Sequence, residues 1–311
     1  MEPSAGSAVE VRGLSKRFNH VQAVEDVGFS VRPGEIFGLV GPDGAGKTTT
    51  MRMLASVMKP DAGSIRIDGV DVVANPAKTK HHVSYMPQRF GLYEDLTVDE
   101  NIRFYADLFG IPAREWRERA QRLLAASGMT PFGKRLAGQL SGGMKQKLGL
   151  TCALVHAPRV LLLDEPTTGV DPVSRREFWQ ILYSLRAEGV AMVISTAYLD
   201  EAERCDRLAL LHRGHVMYCD TPQQLKRDMP GAIVRIVTDE PRALIERVRA
   251  LPGVRGSLLV GEGIHLHVDD GARRLPELQA AMQGGAVASM SLAEPTIEDL
   301  FVALLEQQEA A

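Results

Sequence analysis

The segment Gly41-Pro42-Asp43-Gly44-Ala45-Gly46-Lys47-Thr48 has the spacing G-x-x-x-x-G-K-[ST]. An apolar run, Ile36-Phe37-Gly38-Leu39-Val40, precedes it, and Thr49-Thr50-Met51-Arg52-Met53-Leu54 follows with helical character. Strand, glycine-rich turn, then helix is the setting in which this spacing forms a phosphate cradle. Glycines let successive backbone N–H groups converge on phosphate oxygens, and the helix turns its positive N-terminal end toward the anion. Lys47 is then placed to meet β- and γ-phosphates and the Thr48 hydroxyl to take a place on Mg²⁺, with Gly41, Pro42, Asp43, Gly44, Ala45, Gly46 and Thr49 completing the cradle.

A second chemical pair is Asp164-Glu165, which ends the apolar run Val160-Leu161-Leu162-Leu163. Open α/β sheets place their ligands at the carboxyl ends of such strands. Two adjacent carboxylates there have separable tasks. Asp164 can hold Mg²⁺ while Glu165 polarises the water that attacks a γ-phosphate.

Between these motifs lies Leu140-Ser141-Gly142-Gly143-Met144-Lys145-Gln146, and after them Pro166-Thr167-Thr168-Gly169-Val170-Asp171. The combination resembles the ATP-binding cassette (ABC) family over residues 9 to about 228. The close of the chain, Glu294-Pro295-Thr296-Ile297-Glu298-Asp299-Leu300-Phe301, is similar to the tail of efflux-exporter ATPase subunits of the drug-resistance type. The resemblance implies that Phe18 stacks on adenine and that Gln88 senses the γ-phosphate and Mg²⁺. It also implies that Ser141, Gly142 and Gly143 bind the γ-phosphate of ATP held by an opposite subunit, and that Asp171 crosses the dimer interface. Each ATP would then need two chains. One position departs from the family: Ala197, in Ile194-Ser195-Thr196-Ala197-Tyr198-Leu199-Asp200-Glu201, stands where the usual switch histidine would be. Alanine has no donor and no charge, which implies slow hydrolysis. His212 and His215, on the next hairpin, are the histidines nearest in sequence.

These groups need a scaffold that aligns strand ends. The alternating pattern predicts an α/β core, which the resemblance implies is a P-loop NTPase core of ABC type, interrupted from about 90 to 158 by an inserted helical subdomain. Thr97-x-x-Glu100 is a capping-box signature opening that block. The cassette spans 9–228, preceded by a disordered stretch, 1–8. From 229 to 311 the order strand–helix–strand–strand–helix–strand predicts a small ferredoxin-like α+β domain closed by an extra amphipathic helix. Asp269 and Asp270 in it read as a turn.

Composition sets bounds on function. The chain has 311 residues, 45% hydrophobic, and a net charge of −3, so it carries no electrostatic footprint for nucleic acid. Its three cysteines, Cys152, Cys205 and Cys219, are far apart and read as buried thiols of a reducing compartment. No run approaches the ~20 apolar residues of a membrane-spanning helix. Taken with these bounds, the resemblance implies a cytoplasmic ATPase subunit, peripheral on the inner face of the membrane, that binds ATP and Mg²⁺. It would pair with a second ATP-binding subunit, as homodimer or heterodimer, and drive separate integral membrane permease subunits in efflux. Phe90 and Tyr93 are the expected docking aromatics. The alternatives are a soluble ABC ATPase acting on ribosomes, or a nucleotide-binding regulator with little turnover.

Overall fold

The computed structural model describes residues 6–89, 91–261, 263–282 and 287–309. Two compact units divide the chain: one runs to Tyr198 and resumes over Cys205–Cys219, and the other takes Leu199–Arg204 together with everything from Asp220.

The first unit contains two sheets. Strands β1 (Val9–Phe18), β2 (Val21–Val31), β4 (Ala62–Ile67) and β5 (Val70–Asp71) form one, in the order β2-β1-β4-β5. The other has the order β10-β9-β3-β8-β7-β6, from β3 (Ile36–Val40), β6 (Val83–Met86), β7 (Val160–Asp164), β8 (Ala191–Thr196), β9 (Arg207–His212) and β10 (His215–Asp220). Within it β6, β7, β8, β3 and β9 pair in parallel. Helices α1 (Lys47–Leu54), α2 (Pro76–His82), α3 (Val98–Leu108), α4 (Ala113–Ala126), α5 (Gly142–Leu154) and α6 (Pro172–Ala187) complete the unit.

The near-continuous apolar runs of β3, β7 and β8 follow from burial on both faces. Alternate residues feed different cores. Val160, Leu162 and Val193 join Met51, Leu54 and the apolar face of the smaller sheet. Leu161, Leu163 and Ile194 join Leu150, Phe178, Trp179 and Leu182 of α5 and α6. The helical block has a core of its own, from Val98, Ile102, Ala120, Leu124, Leu148 and Val155. Its first helix opens on the expected capping box, in which Glu100 N–H donates to Thr97 Oγ1 at 3.3 Å and Thr97 N–H donates to Glu100 at 2.8 Å.

The second unit comprises α7 (Leu199–Ala202), α8 (Pro222–Arg227), β11 (Ala232–Thr238), α9 (Pro241–Arg249), β12 (Val254–Val260), β13 (Gly263–Val268), α10 (Gly271–Ala281), β14 (Val287–Ala293) and α11 (Ile297–Glu309). Its sheet order, β12-β13-β11-β14, is wholly antiparallel and is that of a ferredoxin-like sandwich. One face packs Val234, Ile236, Ile264 and Leu266 against Leu244, Val248 and Leu278 of α9 and α10. On the other face His265 meets Asp299 of α11. Asp269 binds Arg274 through two bonds of 2.7 and 2.8 Å, and Asp270 caps α10.

Phe18 ends β1, and the reversal that follows is made by Asn19, with φ 51°, and His20. Two boundaries differ from those the sequence predicts. Ala8, expected to be disordered, is buried, with its N–H donating to Val31 O at 2.8 Å and its carbonyl accepting from Asp68 N–H at 2.8 Å; residues 1–5 lie outside the described residues. The cassette was expected to run to 228, whereas α7 and α8 fall in the second unit, where both pack on α11 and Lys226 pairs with Glu203 at 2.8 Å.

Candidate nucleotide site

Parallel pairing brings the carboxyl ends of β3, β7 and β8 side by side, so the turns that follow them share one edge of the sheet. Residues 41–46 follow β3. Gly41 N–H donates to Thr196 O at 3.3 Å, tying the loop to the end of β8. Gly46 is the N-cap of α1 with φ 102°, and a Cβ there would come within 2.5 Å of Ala23 O. Only glycine permits both the left-handed backbone and that approach.

Lys47 is 4% exposed. Its Nζ donates to Gly41 O at 2.8 Å and Pro42 O at 3.1 Å, and it lies 3.2 Å from Glu165 Oε1. Thr48 Oγ1 donates to Asp164 Oδ1 at 3.1 Å. Thr49 sits half-buried one residue on, and Asp43 and Gly44 form the exposed tip of the loop around buried Ala45. The two motifs that are far apart in sequence are thus in direct contact.

Asp164 closes β7 and is 1% exposed. Glu165 turns into the left-handed region, φ 49°, and its N–H is held by Ser195 Oγ at 3.0 Å and Ser195 O at 3.1 Å. Gln88, just past β6, donates its amide to Glu165 Oε2 at 3.0 Å. Two further hydroxyls reach Asp164: Ser195 Oγ at 2.5 Å and Tyr85 OH at 3.1 Å. Burial first, then the Asp164 charge, pushes the Tyr85 hydroxyl well above its ordinary pKa, so it stays a donor. The sequence reading missed Tyr85 and Ser195. The available signal was a hydroxyl-bearing residue near the carboxyl end of each neighbouring apolar strand, Val83-Ser84-Tyr85-Met86 and Ala191-Met192-Val193-Ile194-Ser195.

The donors fit a small hard cation. Asp164 carboxylate, Thr48 hydroxyl and Gln88 amide are all oxygen ligands, and Mg²⁺ characteristically takes one or two carboxylates plus substrate phosphates rather than a full protein cage. Among the described residues no cluster of three or more His, Cys, Asp or Glu side chains offers such a cage.

Other predicted residues lie elsewhere. Phe18 is 42% exposed, with Lys16 Nζ 5.8 Å from its ring centre and itself 2.7 Å from Asp61. Ser141 caps α5, accepting from Met144 N–H at 3.3 Å; Gly142 is exposed and Gly143 buried. A Cβ on Gly143 would meet Ser174 Cβ at 2.5 Å, so this turn packs on α6 rather than on the phosphate loop of its own chain. Asp171 caps α6, accepting from Ser174 N–H at 2.9 Å and Val173 N–H at 3.1 Å. The Ser174 backbone bond, then its hydroxyl, hold that carboxyl below the usual range. Ala197 is exposed at the end of β8, and the Arg175 guanidinium lies 4.5 Å from the ring centre of adjoining Tyr198. His215 pairs with Glu25 at 3.3 Å.

Residues 24–168 match the ABC transporter family, and residues 221–305 match the C-terminal domain of DrrA1-3-like ATP-binding proteins. A probable multidrug ABC transporter ATP-binding protein of Escherichia coli, YbhF, is 43% identical over 96% of this chain and 52% of its own length. The chain therefore spans about half the length of that relative. The doxorubicin resistance ATP-binding protein DrrA of Mycobacterium tuberculosis is 34% identical over 96% of this chain and 93% of its own. A solved ATP-binding subunit of an ABC transporter superposes with a TM-score of 0.65 at 32% identity, covering 71% of this chain and 92% of that one. With the phosphate loop, the Asp164-Glu165 strand end and the Ser141–Gly143 turn in place, the chain belongs to the ATP-binding cassette family of ATPases.

Proposed function

We propose that this protein is the ATP-binding and hydrolysing subunit of an ABC exporter, powering efflux through separate membrane permease subunits. The observation that supports the reading is that Lys47 lies 3.2 Å from Glu165 and Thr48 donates to Asp164, so the groups proposed to bind phosphate, hold metal and activate water meet at one strand edge.

In this reading Phe18 stacks on adenine, and the backbone from Gly41 to Thr49 wraps the phosphates. Lys47 exchanges its carbonyl partners for β- and γ-phosphate oxygens. Asp164, Thr48 and Gln88 would hold Mg²⁺, which would supply positive charge beside the transferred phosphoryl group. Glu165 accepts the proton of the attacking water. Ser141, Gly142 and Gly143 close on the γ-phosphate held by a second ATP-binding subunit, with Asp171 at the interface, so neither chain alone holds a complete site. Exposed Ala197 supplies no donor to the γ-phosphate, and turnover is slow. That same absence favours a second reading, a nucleotide-binding regulator with little turnover, over a ribosome-directed ATPase.

No helix among the described residues is long and apolar enough to cross a membrane. The proposed location is peripheral, on the cytoplasmic face, docked through the helical block. Tyr93 is 48% exposed there and stacks edge-on against Phe104, itself 37% exposed, at 4.6 Å. Phe90, the other expected docking residue, lies outside the described residues. Co-purification with membrane subunits tests this location.

The deciding experiment is Glu165→Gln. The variant keeps ATP binding, loses hydrolysis by about 10²–10⁴-fold as expected for removal of a general base, and accumulates as an ATP-bound dimer. A monomer in size analysis with MgATP would sink the shared-site reading, and wild-type protein without measurable steady-state hydrolysis would favour the regulator.

A further inference from the structure

The Asp164 carboxylate takes three hydroxyl donors from three separate elements. Thr48 Oγ1 of α1 and Ser195 Oγ of β8 reach Oδ1, at 3.1 and 2.5 Å, and Tyr85 OH of β6 reaches Oδ2 at 3.1 Å. Both oxygens are therefore fixed, and the carboxylate cannot rotate without breaking at least one bond. Ser195 also accepts from Glu165 N–H through Oγ, at 3.0 Å, so one hydroxyl sets the positions of both acids relative to each other. The end of β6 acts in parallel: Tyr85 binds Asp164, and three residues later Gln88 binds Glu165.

We infer that Tyr85 and Ser195 are positioning residues that set the divalent-cation affinity of the site by holding Asp164 Oδ1 on the phosphate-loop side, beside Thr48. The inference rests on the reading of Asp164 as the metal's carboxylate. Physical necessity favours it over simple filling of space. A metal-binding carboxylate left free to rotate must be ordered when the cation arrives, and that ordering cost appears as lost affinity; partners that orient ligands commonly account for about 10–100-fold in metal affinity or activity. Neither hydroxyl is needed to fold the neighbouring backbone. Tyr85 keeps its ring packed beside the apolar core as phenylalanine, and in Ser195→Ala the Glu165 N–H still has Ser195 O, the backbone acceptor at 3.1 Å.

The test follows nucleotide binding against Mg²⁺ concentration in the full chain, using a fluorescent ATP analogue, for wild type, Tyr85→Phe, Ser195→Ala and Asp164→Asn. Mn²⁺ binding, read by loss of the free-ion paramagnetic resonance signal, gives a second readout independent of turnover. The expected result is a roughly tenfold rise in half-saturating metal for Tyr85→Phe and Ser195→Ala, with binding in EDTA unchanged and a cooperative melt retained. An unmoved metal midpoint in both variants overturns the inference. So does an equal loss of binding in EDTA with a lowered melting temperature, which marks the residues as packing elements. If Asp164→Asn shifts the midpoint and the other two do not, only this inference fails; if Asp164→Asn is also silent, the assignment of Asp164 to the metal falls with it.

Discussion

In the cassette, the polar groups form a gradient of exposure. Asp164 is 1% exposed, Lys47 is 4% and the Glu165 side chain 13%, while Gln88 lies in the open. The C-terminal unit buries a comparable pair in a closed set. His265 Nδ1 lies 3.0–3.1 Å from both Asp299 oxygens, and Thr296 satisfies Asp299 from the other side at 2.8 Å. Burial of charge is therefore common to both units and marks neither as a site. A path of partners running from a fully buried carboxylate to solvent is what a ligand can follow; a ring of mutually satisfied groups joins a sheet to a helix.

The largest expected effect that would sharpen the contrast is at Ala197. If the γ-phosphate lacks one donor there, Ala197→His raises steady-state ATP turnover by up to about 10²–10³-fold, with ATP affinity little changed. An unchanged or lower rate would mean that the open gradient is already complete without a histidine. Next comes Lys47→Ala. Removing charge-assisted bonds worth about 1.5–3 kcal/mol weakens ATP binding by roughly 10–100-fold in equilibrium titration. The closed set should behave in the opposite way. Asp299→Asn loses the charged acceptor for His265 and unfolds the C-terminal unit more readily, by about 1–3 kcal/mol in a denaturant melt, while nucleotide affinity stays at the wild-type value. A change in affinity would break the comparison. The smallest effect is in the helical block. His156, stacked on Phe109 at 3.9 Å, is pushed down to about 4 by burial. The folded state therefore favours the neutral ring, and its contribution, full above the ordinary value of 6.5, is lost as pH falls toward 4. A melt series over that window should be flatter in His156→Gln.

The parts of this arrangement that could be read from the sequence are those that are contiguous in it. The phosphate loop and Asp164-Glu165 each carry their own flanking strand, so type and spacing identify them. Gln88, Ser141 and Asp171 came through resemblance. Tyr85 and Ser195 belong to neither class, because they reach Asp164 through sheet order: β6 and β8 flank β7, with Tyr85 beside Leu162 and Ser195 beside Asp164 in register. A single sequence does not state which strands are neighbours when the connections between them cross over. The βαββαβ order of the C-terminal unit was readable from alternating strand and helix patterns. Its claim on α7 and α8 was not, because that depends on where α11 packs.

Glu165 combines the proposed water-activating role with a φ of 49°, a backbone shape in which a non-glycine residue sits at a cost of about 1–2 kcal/mol. Glycine at this position would relieve that strain but remove the carboxylate that pairs with buried Lys47 at 3.2 Å. Breaking a buried pair by removing one partner costs about 3–5 kcal/mol, more than the strain returns, so laboratory evolution of this chain for heat resistance alone should retain Glu165.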